Sequence, residues 1–420
     1  MHLIQLTQLF YFDFLALCMT GLVLFLGLNI VVFSTRYMQG DTTYRSYFLR
    51  LLCLVVSLVF MVSSNHLIVF FLAWLISNFL MSRLMIHKSS WQAASYSGTI
   101  ALKNFFIGLF FLGTAFVILY LKTGTLSISS ICQTTEQTPL IRVSLSLLLL
   151  AAMTQSAIWP FHRWLMSSLN SPTPVSAIMH AGIVNGGGFI LLRFGTLFAN
   201  DQMMLQIIFI IGVLTSVVFT TCKLMQHDIK RSLAASTIAQ MGFMFAQFGL
   251  GLYSVTLAHI ILHGLYKSFL FLNSGSSVYQ KHYQSTHEAS SPTRVLLSSL
   301  CAAITLIIFC LTKQQQIFPS NAHLIPQLIL TITSFQLAFG LLSQKFKGKE
   351  LLSASLICSF TGFYYGSLLF FIENVYGLTF GTGAQTLNAI YLSGTAILVI
   401  SWILFMYGRS LIANFLGQEN

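Results

Sequence analysis

Long apolar stretches separated by short polar segments run along almost the whole chain. A helix needs about twenty mainly apolar residues to cross the hydrocarbon core of a bilayer, and this length gives about thirteen predicted transmembrane helices. Their approximate ranges are 9–33, 47–63, 66–86, 103–121, 143–161, 174–199, 203–222, 232–250, 253–279, 295–312, 323–343, 351–372 and 386–407. We therefore expect an all-α fold, a polytopic membrane helix bundle that forms one transmembrane domain over residues 1–420.

Prolines interrupt this pattern near the middle of the chain. The fifth predicted helix is broken at Trp159-Pro160, and the sixth opens just after Pro172 and Pro174. Proline cannot donate a backbone hydrogen bond, and it restricts the conformation of the residue before it. These positions therefore predict helix ends.

The composition excludes a soluble protein. Hydrophobic residues make up 56% of the chain and charged residues 7%, whereas a soluble domain has roughly 25% charged residues. The formal net charge of +12 does not indicate nucleic acid, because the basic residues lie singly or in small groups between apolar stretches.

The positions of the basic residues predict an orientation. With the amino terminus outside, sixteen of the 21 Lys and Arg residues lie on the cytoplasmic side of the predicted helices. The outer side has Lys122, Arg142, Arg193 and Lys313, and Lys267 lies within a helix. Short cytoplasmic loops carry the excess of positive charge. We therefore expect the amino terminus outside and the carboxyl terminus in the cytoplasm.

The motifs of soluble enzyme chemistry are missing from the sequence. The seven cysteines include no CxxC pair, which favours small buried side chains over a disulfide framework or a metal site. The sequence has no phosphate-binding loop, no nucleophile elbow and no dinucleotide-binding fingerprint. We expect no catalytic residue and no cofactor in this chain, and an ion gradient as its source of energy.

Lys267 is the most informative residue, because it lies within the apolar stretch LAHIILHGLYKSFLFL. A charged side chain at membrane depth costs about 3 kcal/mol even on a mild insertion scale, so it marks functional sites. His259 and His263 precede it at intervals of four residues, which places the three side chains on one helix face. Such a row suits proton transfer through water; the alternative is a lysine that reaches the interface beside two hydrogen-bonded histidines.

His180 is a second candidate, followed closely by Asn185 and by the glycines at 186–188. Three glycines weaken a helix by roughly 1 kcal/mol each relative to alanine. They allow local unwinding, which transporters use at ion sites, or else close packing of another helix.

Several charged residues have more than one interpretation. Asp228, beside Lys230, either caps the eighth helix or forms a functional ion pair. Arg193 lies near the outer end of its helix, where its side chain can reach the interface. Asp13 and Glu373 lie near helix ends, and we expect both to be solvated.

The stretch TQSAIWPFHRWLMSSLNSPTPVSAIMHAGIVNGGGFILLRF resembles the core signature of the antiporter-like subunits of respiratory complex I and of multisubunit sodium/proton antiporters. DIKRSLAASTIAQMGFMFAQFGLG and HIILHGLYKSFLFLNSG follow at the family's spacing, so the resemblance is strongest over residues 150–280. It implies an antiporter-like core with broken helices, in which buried histidines and lysines conduct protons. By motif position, the matching residues are His180, His259, His263 and Lys267.

Two positions differ from the family pattern. The family usually has a buried glutamate after the tryptophan of an early helix, and here Leu75 follows Trp74. It also usually has a lysine before the Ser-Ala pair of the fifth helix, where this chain has Gln155. The absence of this glutamate–lysine pair argues against the role of an ordinary complex I subunit.

The segments HAGIVNGGGFILLR and FSTRYMQGD resemble one branch of this family, the DabB membrane subunits of inorganic-carbon accumulation complexes. That resemblance implies a bacterial inner-membrane protein with a cytoplasmic partner, DabA, which is similar to a zinc β-carbonic anhydrase. The flow of H⁺ or Na⁺ would drive hydration of CO₂ to bicarbonate, with the zinc on the partner. Lys345, Lys347 and Lys349 either help to dock the partner or only determine the topology.

Three functions remain open. The chain is a cation-conducting subunit that couples to a partner enzyme, an antiporter subunit of the Mrp or NADH-quinone oxidoreductase type, or a membrane anchor that conducts nothing. The missing glutamate–lysine pair disfavours the antiporter, and the buried Lys267 disfavours the anchor.

Overall fold

A computed structural model describes residues 9–88, 90–134, 138–274, 292–342, 348–380 and 384–415, with the backbone alone at 169, 376–380 and 405–415. Within these ranges the chain forms helices and short connections, and the extended pairing there is limited to three isolated bridges. The expected all-α membrane bundle is confirmed.

The principal helices follow the apolar stretches of the sequence. They are α1 (Phe14–Tyr37), α2 (Tyr44–Ser63), α3 (Leu67–Met85), α4 (Gln92–Thr123), α5 (Pro139–Gln155), α6 (Thr173–Ile178), α7 (Asn185–Arg193), α8 (Gln202–Leu224), α9 (Ile229–Gly249), α10 (Tyr253–Leu272), α11 (Pro292–Lys313), α12 (Leu324–Leu341), α13 (Gly348–Phe380) and α14 (Ala389–Phe415).

Each of the thirteen predicted ranges overlaps one of these helices, the sixth overlapping both α6 and α7. Ten helices of the described chain, with α6 and α7 taken together, are long and apolar enough to cross a membrane. The count of thirteen is therefore not confirmed.

Side-chain caps move several helix starts away from the predicted ones. The Asp13 carboxylate accepts a hydrogen bond from the Ala16 N–H at 2.8 Å, so α1 begins at Phe14 rather than at residue 9. Asp228 caps α9 in the same way, accepting from the Arg231 N–H at 2.9 Å. This observation supports the capping interpretation of Asp228.

Contacts group the described residues into two compact units. The first lies within 1–277 and 390–420, and the second within 278–389. In the first unit α4 packs on α5 and α8 packs on α9. In the second, α11 packs on α12 and α13 around a small cluster that includes Cys301, Ala338 and Cys358. The single transmembrane domain stays a prediction.

A broken helix lies at the centre of the first unit. Over Thr173–Arg193, 94% of the most apolar window is buried, against 28–56% for the other candidate spans. Between α6 and α7 the chain forms one π-helical segment, Met179–Ile183. Such segments release backbone carbonyls from the regular helical pattern.

Side chains bind the carbonyls around this segment. Gln155 Nε2 donates to the Ile183 carbonyl at 3.3 Å, and Ser156 Oγ donates to that of Val184 at 2.6 Å. Asn185 Nδ2 donates to the Ala181 carbonyl at 2.7 Å. The irregular backbone is therefore satisfied by protein groups, as membrane depth requires.

Glycines follow the irregular segment and are themselves helical. A Cβ on Gly187 would overlap the Ala152 carbonyl and the Ser156 hydroxyl of the neighbouring α5. At this glycine the structure therefore favours close packing over unwinding, and the helix opens one turn earlier instead.

Candidate functional site

The predicted row of His259, His263 and Lys267 lies along α10 in the interior of the first unit. Lys267 is completely buried and His263 is 4% exposed. The ring centroids of His259 and His263 are 6.0 Å apart, so a single water molecule is enough to bridge them.

Amide oxygens fix the orientation of both histidines. The Nδ1 atom of His259 lies 2.8 Å from Gln247 Oε1, and that of His263 lies 3.2 Å from Asn185 Oδ1. An amide oxygen only accepts, so each Nδ1 must donate, and in the neutral ring Nε2 is then the proton acceptor. The Nε2 atom of His263 is buried without a hydrogen-bond partner in the described part of the chain.

Lys267 is held by a neutral group. Its Nζ donates to Ser236 Oγ at 2.9 Å, and it lies 5.8 Å from the centre of the Tyr266 ring. Among the described residues no carboxylate forms an ion pair with it. Within the described chain the ammonium therefore lies in the interior without a carboxylate partner.

His180 lies in the π-helical segment and stacks on Phe271 of α10 at 4.2 Å between ring centroids. Its Nδ1 is 3.2 Å from Thr237 Oγ1, whose hydrogen is donated to the Leu233 carbonyl. The Thr237 oxygen therefore accepts from Nδ1, which leaves Nε2 free to take a proton. Ser168 Oγ, 3.5 Å from Nε2, would then accept from the charged ring.

Adjacent hydroxyls on α9 connect the two ends of this site, because Ser236 binds Lys267 and Thr237 binds His180. His180 also stacks on α10, and His263 lies beside Asn185 of α7. These contacts bring the four predicted residues together into one group.

Gln155 lies beside this group and is neutral. Its amide exchanges two hydrogen bonds with that of Asn78, at 3.0 and 3.2 Å. Both side chains are buried. The family's usual lysine position is thus filled by a reciprocal amide pair, which satisfies both partners without charge.

The supporting residue Lys230 lies at the edge of the site, where its Nζ is 3.5 Å from the Ser171 carbonyl. Lys349 is exposed, whereas Lys345 and Lys347 lie outside the described residues. Within the described chain no three His, Cys, Asp or Glu side chains come together to hold a metal ion.

Two charged pairs were missed in the sequence. Arg193 does not reach the interface but forms a 2.8 Å ion pair with Asp13, which is therefore not simply solvated. In the second unit, buried Lys313 forms a 3.0 Å ion pair with Glu373, and its Nζ lies 3.3 Å from His323 Nδ1. Only the apolar surroundings of Lys313 signalled this second cluster.

Two known protein families match the sequence of this chain. The transmembrane family described as NADH:quinone oxidoreductase/Mrp antiporter matches residues 64–343. The chain belongs to this antiporter family. A second family, the amino-terminal region of chain 5 of NADH-ubiquinone oxidoreductase (complex I), matches residues 2–48.

Within the antiporter family, the chain is similar to proteins named as inorganic carbon transporter subunits. It is 38% identical over 329 residues to the "Probable inorganic carbon transporter subunit DabB" of Bacillus subtilis, covering 76% of this chain and 63% of the relative. It is 36% identical to DabB1 of Halothiobacillus neapolitanus, covering 64% and 50%. The predicted resemblance is confirmed, and the chain spans about half to two thirds of these relatives' length.

Similarity extends to respiratory subunits and to solved assemblies. Subunit L of the NADH-quinone oxidoreductase of Pseudomonas aeruginosa is 32% identical, covering 65% of this chain and 46% of the relative. A chain of the Mrp complex from Dietzia sp. aligns with a TM-score of 0.62 and 22% identity, covering 93% of this chain and 42% of that one. At that identity the structural match shows a shared antiporter fold.

Proposed function

We propose that this chain is the membrane energy-coupling subunit of an inorganic carbon transporter complex. Protons or sodium ions move along its buried histidine–lysine group, and their flow drives hydration of CO₂ to bicarbonate by a cytoplasmic zinc partner of the DabA kind. The amino terminus lies outside and the carboxyl terminus in the cytoplasm of a bacterial inner membrane. The similarity to DabB subunits supports the substrate and the partner.

The burial of Lys267 is the main observation that supports a cation path through this chain. An anchor has no reason to bury an ammonium that, within the described chain, is held by a serine hydroxyl and a tyrosine ring rather than by a carboxylate. The neighbouring imidazoles present Nε2 as an acceptor, so a proton released from Lys267 has a sequence of bases to occupy. Ser236 and Thr237, adjacent on α9, each hold one end of this group, Lys267 and His180.

The neutral Gln155–Asn78 pair favours a coupled subunit over a self-sufficient antiporter. An antiporter needs an alternating path that loads a cation from each side, and charge is missing at this position of the path. The antiporter role, of the Mrp or NADH-quinone oxidoreductase type, is the second candidate because of the shared fold.

Growth of a carbonic-anhydrase-deficient bacterium in ambient air tests this proposal. The chain is expressed alone, with its candidate zinc partner, and with that partner as Lys267→Met or as the surface control Lys122→Met. We expect growth only with the partner and only when Lys267 is present, at equal membrane abundance. Growth of the Lys267→Met strain would indicate that the chain is only a membrane anchor. If the chain and its partner assemble but do not restore growth, the antiporter role would be favoured.

A further inference from the structure

A cavity of about 560 Å³ opens in the first unit at the ends of several helices. Its walls include Tyr37 at the end of α1, His87 and Lys88 after α3, and Lys230 at the start of α9. It lies on the side that the proposed topology places in the cytoplasm. A polar cavity of this size holds many water molecules.

One wall of the cavity is an ion pair between two loops. His87 Nε2 lies 3.0 Å from Asp41 Oδ2, and the other carboxylate oxygen accepts from the Thr43 N–H and hydroxyl, each at 2.8 Å. The hydrogen bonds from His87 and Thr43 hold the pKa of the Asp41 carboxyl well below its usual range. Asp41 is therefore an anion that faces the His87 ring.

The other ring nitrogen of His87 is buried and has no partner among the described residues. The His87 side chain is 5% exposed, and because Nε2 donates to Asp41, Nδ1 is the atom that takes a proton. The Tyr47 ring packs edge-on at 5.6 Å. The titratable and charged groups around the cavity are Tyr37, Asp41, Tyr47, His87, Lys88 and Lys230.

Another part of the cavity lining belongs to the segment that precedes the buried site in the chain. Asn170, Ser171 and Pro172 line the cavity and run directly into α6 and His180. Ser168, whose carbonyl accepts from the Ser171 N–H, lies 3.5 Å from His180 Nε2. Lys230 lines the same cavity, and its Nζ lies 3.5 Å from the Ser171 carbonyl.

We propose, on the basis of the proposed function, that this cavity is the aqueous mouth of the cation path and that the Asp41–His87 pair exchanges protons between the medium and His180. A proton from the medium reaches the buried His87 Nδ1 by way of cavity water, leaves again to cavity water and passes to His180 Nε2. No bond other than N–H and O–H changes.

Proton flux into proteoliposomes tests the pair. The full chain is reconstituted with its partner, a potassium diffusion potential drives the flux, and an entrapped pH dye reports it. We compare His87→Gln and Asp41→Asn with His227→Gln, which removes an exposed histidine between α8 and α9. At low buffer concentration we expect proton flux through His87→Gln and Asp41→Asn to be at least about 10-fold slower than through wild type. This decrease is smaller than the rate enhancement that a positioned proton-transfer group usually provides.

The dependence of flux on buffer concentration distinguishes a loss of proton transfer by His87 from structural damage caused by the substitution. Raising the concentration of membrane-impermeant Hepes on the cavity side should restore flux in His87→Gln, because buffer then replaces the side chain as proton donor. Wild type and His227→Gln should not respond. Wild-type flux in His87→Gln at low buffer, or slow flux that Hepes does not restore, would overturn the inference. Equal flux in wild type and Lys267→Met would instead reject the proposed function.

Discussion

Gln155 and Asn78 show how individual side chains close the interior of this protein. Each amide uses its donor and its acceptor on the other, and Gln155 also binds the irregular backbone at Ile183. An unsatisfied buried polar group costs about 1–3 kcal/mol, so such a pair is stable only while both members are present. The pair holds α3 and α5 on the broken helix without adding a charge.

Gln155→Leu should therefore destabilise the protein by about 1–3 kcal/mol, because Asn78 and the Ile183 carbonyl lose their partners. Thermal unfolding in detergent measures the change. The exposed Gln202, at the start of α8, provides the control, and Gln202→Leu should unfold as wild type does. Equal stability of all three proteins would contradict this role of the amide pair.

The two partners of the Lys313–Glu373 ion pair should differ in how much stability is lost when each is replaced. The Lys313 side chain is 2% exposed, whereas that of Glu373 is 32% exposed. Glu373→Gln leaves a buried ammonium unpaired and should cost about 3 kcal/mol. Lys313→Met leaves a carboxylate that water can reach and should cost less than about 1 kcal/mol. Chemical denaturation measures the free energy of unfolding of the two single variants and of the double variant. Equal losses in the two single variants would be inconsistent with the burial of Lys313.

Sequence alone could place the histidines and Lys267 on one helix face, because that depends only on the period of α10. It could not identify their partners. Asn185 is 78 positions from His263, and Ser236 is 31 positions from Lys267. Such contacts depend on helix packing, and neutral hydroxyls and amides leave no distinctive pattern in the sequence.

The broken helix is the element on which the site depends. Hydrophobicity predicted where the helices lie, and the prolines predicted the start of this one. The exact position of the irregular turn followed instead from packing. It ends before the glycines because α5 approaches them closely, and α5 ends at Gln155, before the predicted break at Trp159-Pro160.

Gly187→Ala tests this packing. The added methyl would overlap the Ser156 hydroxyl and also the Ala152 carbonyl, which cannot move without disturbing α5. We expect a loss of about 1–3 kcal/mol in stability, the usual cost of an overpacked interior. Gly21→Ala, in open space within α1, should instead be neutral or stabilising by up to about 1 kcal/mol. Similar thermal unfolding of both variants would contradict the packing argument.

At the scale of the whole molecule, charge distribution and fold predict the orientation. In a cysteine-free background, Met225→Cys after α8 and Lys122→Cys near the end of α4 place single thiols at opposite predicted faces. Membrane-impermeant maleimide applied to intact cells should label the second and not the first. The reverse pattern would invert the orientation and move the Asp41–His87 cavity to the outside.

The antiporter fold and the relatedness to DabB follow from extended motifs, which is why they could be recognised from the sequence. The motifs recognised in the sequence end before the second compact unit, and its Lys313–Glu373–His323 cluster became visible only from the packing of the helices there. Extended motifs are thus easier to recognise in the sequence than the long-range contacts that hold buried charged side chains.

Proton or sodium flux through the reconstituted chain and partner tests the central claim most directly. Wild type and the surface control Lys122→Met should show equal potential-driven flux, and Lys267→Met should reduce it to the level of empty vesicles, with all proteins assembled to the same extent. Flux in Lys267→Met equal to that of wild type would contradict the account, because the cation would then cross without the buried lysine.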